Sequence, residues 1–180
     1  MRDHTRVLQL TCAGLFLAIA LVLPFLIGQI PQIGTALSPM HIPVLLCGFL
    51  CGWQWGMAVG FVAPLLRSVL FGMPAMFPGA VSMAFELAVY GIMAGVLHRV
   101  LPEKPWAVYA ALVISMIGGR LVWGLVRYLL AGLDHTEFTL EMFAAGALTN
   151  ALPGIILHII LIPPLVMALE KAGLTMNRRS

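Results

Sequence analysis

Five apolar stretches, at 7–27, 42–71, 79–100, 106–130 and 142–169, fill most of the 180-residue chain, separated by short runs of Gly, Pro and polar residues. About 20 apolar residues is the length an α-helix needs to cross the hydrocarbon core of a bilayer. Hydrophobic residues make up 61% of the chain and charged ones 9%. Soluble domains carry roughly 45–50% apolar and 25% charged residues, and no soluble core of this size hides so much apolar surface. The expected class is an all-α integral membrane protein, one domain over 1–180. No convincing internal repeat is present, which argues against an inverted-repeat secondary transporter. Arg2 and Arg6 ahead of the first stretch resemble the start of a signal peptide. The stretch 7–27 is nevertheless long enough to span and no small-x-small site ends it, so it reads as a retained helix.

The stretch 42–71 is either one long helix or two short ones hinged at CGWQWG. Positive charge decides between them, because cytoplasmic loops are enriched in Lys and Arg. With two helices there are six spans, and Arg2, Arg6, His98, Arg99, Lys104, Lys171, Arg178 and Arg179 share one side with both termini. The opposite loops carry Asp134, Glu137 and Glu141 and no Lys or Arg. One long helix would part Arg99 and Lys104 from the other basic residues. The expectation is therefore six transmembrane helices with cytoplasmic termini, two of them short, at about 14 residues or 21 Å each. Helices that short must be sheltered by neighbours, thin the bilayer or stop part-way. Trp53 and Trp55 at the hinge suit an interfacial position. The net charge of +3 speaks of orientation in the membrane, and no basic run points to nucleic acid.

Arg67, Glu86, Arg120 and Arg127 stand inside these apolar stretches. A charge at a helix centre costs about 2.5–3.5 kcal/mol on insertion scales, so such residues face a protein interior or a wet cavity. Counting down from the outer loops at 1.5 Å per residue, Arg67 lies about 12 Å deep, Glu86 about 10 Å, Arg120 about 16 Å and Asn150 about 12 Å. Arg127, seven residues from Arg120, shares its helix face nearer the surface. An internal ion pair, Arg67–Glu86 or Arg120–Glu86, accounts for some of this charge. Three arginines against one well-placed membrane carboxylate leave a cation over, and a planar guanidinium fork suits a carboxylate or phosphate. His41, at the outer start of the second helix, is a further candidate, as is the loop holding Gln29, Gln32, Thr35 and Ser38, with Gln32 the residue singled out as a contact. His158 reads as bonding another helix, and Trp123 and Tyr128 as lipid or core contacts with a possible stacking role.

No HExxH, GxSxG or GxxxxGK[ST] occurs, and the carboxylates are too few and scattered to hold a metal. The chain is not expected to be an enzyme, to hydrolyse ATP, or to carry a metal or cofactor. Cys12, Cys47 and Cys51 read as small apolar packing residues. In the first helix, Gly14 and Ala18 form a small-xxx-small stripe, which in lipid permits close approach of another helix from this protein or from a partner.

MHIPVLLCGFLCG, the small-residue first helix, MIGGRLVWGLVRYLL and GALTNALPGIILHIILIPPLV, in this order and spacing, resemble an S-component of an energy-coupling factor (ECF) vitamin transporter over nearly the whole chain. The resemblance implies a six-helix subunit of a prokaryotic plasma membrane that captures a vitamin from outside and works with a transmembrane coupling subunit and two ATPase subunits. It implies a docking stripe matching Gly14 and Ala18, with Gly in place of the family's Ala at the first position. It also implies an outward pocket bounded by the first loop and the last three helices, which takes in Glu86, Arg120 and Asn150. The arginine excess favours an anionic ligand such as pantothenate or a folate; pyridoxine-type, thiamin-precursor and cobalamin ligands stay open. The competing function is an autonomous channel or a proton-coupled permease.

Overall fold

The structure, a computed structural model, describes residues 2–27, 37–133, 137–149 and 151–177. Helix α1 (Arg2–Val22) runs into a 3-10 turn at Leu23–Ile27. Helices α2 (His41–Cys51) and α3 (Trp53–Phe71) follow, then a π turn at Met76–Ala80 and α4 (Val81–Val100). The chain ends with α5 (Pro105–Leu133), α6 (Leu140–Ala144) with a π turn at Ala145–Thr149, and α7 (Leu152–Lys171). Five helical stretches, Arg6–Leu26, Trp53–Phe71, Met76–Val100, Pro105–Leu133 and Leu140–Lys171, are long and apolar enough to cross a membrane, and His41–Cys51 is a shorter apolar helix. This is a multi-pass, all-helical membrane protein.

The division of 42–71 falls at Gly52, inside the expected hinge, but unevenly: α2 has 11 residues and α3 has 19. The boundary is set by backbone geometry. Gly52 adopts φ 100°, ψ 166°, which L side chains rarely take, and a Cβ there would also meet Asn177. A helix as short as α2, about 16 Å, does not span a bilayer alone. It is sheltered instead: every α2 residue except Ile42 is buried, against α1, α3, α4 and α7.

Small residues bring the central helices together. A Cβ on Gly91 of α4 would run into the backbone of Gly56 on α3, and one on Gly60 would strike the backbone of Leu87. In lipid, where apolar helix faces gain little by meeting each other, such close backbone approach is a main source of helix affinity. Ala13 and Ala20 of α1 turn inward to the same core, which includes Cys47 and Cys51, both free thiols. Gly14 and Ala18 turn outward and are exposed, and nothing lies within 4 Å of where a Gly14 Cβ would stand.

Helix α1 stops where Pro24 removes a backbone donor and the chain tightens into its 3-10 turn. The bundle has two distinct ends. At the Gly52 end, Met176 N–H donates to the Leu50 carbonyl at 2.8 Å, Asn177 Nδ2 donates to the Gly95 carbonyl at 2.8 Å, and His98 meets Glu170 at 3.0 Å. There too Gln9 of α1 donates to the Cys51 carbonyl at 3.1 Å, so α1 begins and α7 ends on that side. The other end holds His41 and the ends of α3 and α5.

Candidate functional site

Glu86 organises the His41 end. It lies five residues into α4 and is 1% exposed. Its Oε1 gathers three groups: Arg120 Nη1 of α5 at 3.0 Å, the Tyr90 hydroxyl, which donates at 3.1 Å, and His41 Nε2 at 3.5 Å. Tyr90 is four residues after Glu86, one turn along the same face. Its ring fits because Gly119 of α5 carries no side chain; a Cβ there would enter the ring. A buried carboxylate in hydrocarbon is tolerable only with this degree of pairing. Of the two ion pairs open from sequence, the structure forms Arg120–Glu86.

His41 is the first residue of α2, positioned by its backbone N–H donating to the Ser38 carbonyl at 3.0 Å. Its ring stacks on that of His158 in α7, with centroids 5.9 Å apart and planes 22° from parallel. Both histidines are 2% exposed, and none of their ring nitrogens makes a hydrogen bond of regular geometry.

One to two turns along α5 stands a cation–aromatic tier. Arg120 lies 5.8 Å from the Trp123 ring and Arg127 lies 5.6 Å from the Phe138 ring. Trp123 packs edge-on to Phe138 at 5.9 Å and stacks with Phe143 at 6.3 Å. Two glycines make room for these rings: a Cβ on Gly124 would strike Phe143, and one on Gly146 would strike Trp123. Among the described residues no carboxylate pairs with Arg127. Glu86 neutralises Arg120, so Arg127 is left as the cation able to meet an anion, beside aromatic faces suited to a flat solute.

Arg67 does not join this cluster. It is buried, donates to the Leu21 carbonyl, and lies 4.8 Å from the Phe25 ring and 5.4 Å from the Phe71 ring. The guanidinium thus serves a carbonyl at the Pro24 stop and ties α3 to the end of α1. Tyr128 is exposed, while Trp123 is half-buried within the tier. Gln32 and Asn150 lie outside the described residues.

Tyr90 was not singled out from sequence, although its i+4 spacing from Glu86 was a usable signal. His158 was expected to bond another helix; it stacks on His41 of α2, 117 positions away in sequence (158 − 41), a pairing that no local pattern announces. No group of three or more His, Cys, Asp or Glu residues suited to a metal occurs among the described residues.

Comparison with curated proteins gives no match, and comparison with solved structures gives none. The family model described as "ECF transporter, substrate-specific component" matches residues 8–166, which takes in most of α1, all of α2 to α6 and most of α7. With most of its length matched, the chain belongs to the ECF transporter substrate-specific components.

Proposed function

We propose that this chain captures a carboxylate-bearing water-soluble vitamin or vitamin precursor, of the kind represented by pantothenate or a folate, at the His41 end of the bundle. That end faces outward, the termini face the cytoplasm, and the membrane is the plasma membrane of a prokaryote. Uptake is driven by a separate transmembrane coupling subunit and two ATPase subunits. The observation that carries the ligand class is charge balance: Arg120 is neutralised by Glu86 at 3.0 Å, and Arg127 has no carboxylate among the described residues. An arginine half-buried at the membrane edge beside aromatic rings gains most from an anionic partner. Gln32 and Asn150 remain proposed contacts from the sequence reading.

The outward stripe of Gly14 and Ala18 supports docking of the coupling subunit on α1. Its small residues face away from this protein's own core, so a second helix can approach them closely. The deciding experiment is calorimetric titration of the purified protein with a vitamin panel, followed by uptake in proteoliposomes with and without the coupling and ATPase subunits. Binding tighter than about 1 μM, a free energy near −8 kcal/mol, and uptake only with the partners are expected. Accumulation by the protein alone would establish an autonomous carrier instead, and absence of binding tighter than micromolar would remove the capture reading.

A further inference from the structure

The last turn of α4, at the Gly52 end of the bundle, sends its two basic residues in opposite directions. His98 is buried and meets Glu170 at 3.0 Å. Arg99 is exposed, and none of the described ion pairs takes it up. Arg99 lines a groove of about 500 Å³ together with Trp53, Val96 and Val100. Two glycines build this groove. Gly52, with its positive φ, ends α2 and leaves Trp53 as the first residue of α3. Gly95 lets that residue lie directly on α4, since a Cβ there would run into the Trp53 backbone. Val96, Arg99 and Val100, three and four residues apart, then share the face of α4 beside the indole.

The groove stands where this end of the bundle meets the membrane surface. Trp53 and Trp106 are both exposed here, near Arg99 and Lys104, and such aromatic and basic residues mark a bilayer–water boundary. The lining is chemically one-sided. Its two polar side chains, the Trp53 indole and the Arg99 guanidinium, carry N–H donors and no acceptor. The other two are valines exposed on the outer side of α4, Val100 beside the helix end and Val96 one turn deeper. An occupant that satisfies this lining brings acceptor oxygens, best of all charged ones, and an apolar body on the same molecule. Inorganic phosphate has the first without the second. A zwitterionic phospholipid has both but adds an ammonium, which Arg99 and Lys104 repel. Basic pockets between membrane helices are a recurring way of holding anionic headgroups.

We infer that this groove binds one anionic glycerophospholipid, with its phosphate on Arg99 and the Trp53 indole N–H and an acyl chain running down past Val96. The site lies at the opposite end of the bundle from Glu86 and does not depend on which solute is captured there. The bound lipid joins the start of α3 to the end of α4 at the membrane surface.

The test is native mass spectrometry of the full chain in detergent. It is titrated with phosphatidylglycerol, with phosphatidylcholine of the same acyl chains, and with inorganic phosphate as a competitor. One phosphatidylglycerol should be retained per chain, about 10-fold more tightly than phosphatidylcholine, the scale of a charge-assisted hydrogen bond. Excess phosphate should not displace it. Arg99→Gln should bring the ratio between the two lipids to about one, and Arg99→Lys, which keeps the charge, should retain most of the preference. Lys104→Gln, at an exposed basic residue outside the groove, should keep it in full. Equal thermal unfolding of these variants in phosphatidylcholine micelles separates loss of lipid from misfolding, as expected at exposed positions. Equal retention of both lipids, or an unchanged ratio in Arg99→Gln, overturns the inference. So does an equal loss in Lys104→Gln, which would reduce the effect to diffuse surface charge. Displacement by inorganic phosphate overturns it too, by making the groove a site for a free anion.

Discussion

Replacing Glu86 with Gln tests whether the Arg120–Glu86 pair is a structural necessity of the bundle. Gln keeps the shape and still accepts from the Tyr90 hydroxyl, so the substitution removes charge and little else. Breaking one side of a buried pair typically costs about 3–5 kcal/mol. Arg120 keeps 18% side-chain exposure and its contact with Trp123, so part of that penalty is relieved and about 2.5 kcal/mol is expected. The converse change, Arg120→Met, should cost less, about 1.5 kcal/mol, because a lone carboxyl can take a proton while a guanidinium cannot lose one. Removing both charges should then cost about 2 kcal/mol where simple addition gives about 4, a coupling of about 2 kcal/mol.

The assay is reversible unfolding of the purified protein by SDS in mixed micelles, with the four proteins of the cycle measured side by side. The order Glu86→Gln worse than Arg120→Met, with a sub-additive double variant, is the signature of a buried, mutually dependent pair. If Arg120→Met is the costlier change and the double variant equals the sum within about 0.5 kcal/mol, the two groups do not depend on each other and the pairing is wrong.

Arg67→Leu should lower stability by about 1–3 kcal/mol, because the Leu21 carbonyl loses its donor in an apolar setting, and thermal unfolding reads it. A loss of ligand affinity larger than the loss of stability would instead return Arg67 to the site. Gly91→Ala should destabilise by about 1–3 kcal/mol or prevent folding, since its Cβ meets the Gly56 backbone. Gly132→Ala, with nothing within 4 Å, should be neutral or stabilising by up to about 1 kcal/mol in the same assay. Gly14→Leu should leave ligand titrations unchanged and abolish uptake in proteoliposomes that contain the coupling and ATPase subunits; normal uptake would take the α1 stripe out of the docking surface.

The membrane spans and the hinge were legible because hydropathy, Gly and Pro act locally. The same reading gave the height of each charge but not the direction in which it points around its helix. Arg67 and Glu86 were placed within a few ångströms in depth, yet Arg67 serves the Leu21 carbonyl and Glu86 the arginine of α5. A backbone carbonyl is not a charge, so counting arginines against carboxylates misses it as a partner. The uneven lengths of α2 and α3 have a similar origin. The hydropathy of 42–71 is nearly uniform, and only the positive φ of Gly52 fixes where the break falls. His41 and His158 meet because α2 and α7 lie side by side, which is a tertiary fact.

On the proposed function, the tiers of the site divide scaffold from selectivity. Glu86, Tyr90 and Arg120 sit on α4 and α5, which interlock closely through Gly119 under the Tyr90 ring, and each has its charge or hydroxyl engaged within the protein. A ligand that took Arg120 from Glu86 would leave a buried carboxylate exposed to the penalty the pair prevents, so this tier is a poor place to gain affinity. Arg127 and the two histidines are different: the rings stack on each other beside Glu86, and no carboxylate among the described residues meets the Arg127 charge, so under the proposed capture an anionic solute stabilises Arg127 most. His158 also rides on α7, whose main contacts are with α2 and α5, away from the glycine-locked α3–α4 pair. On the proposed capture, binding free energy is gained mainly at Arg127, whose charge no carboxylate among the described residues meets. The ion pair, for all its cost in a membrane, ties α4 to α5 beside His41.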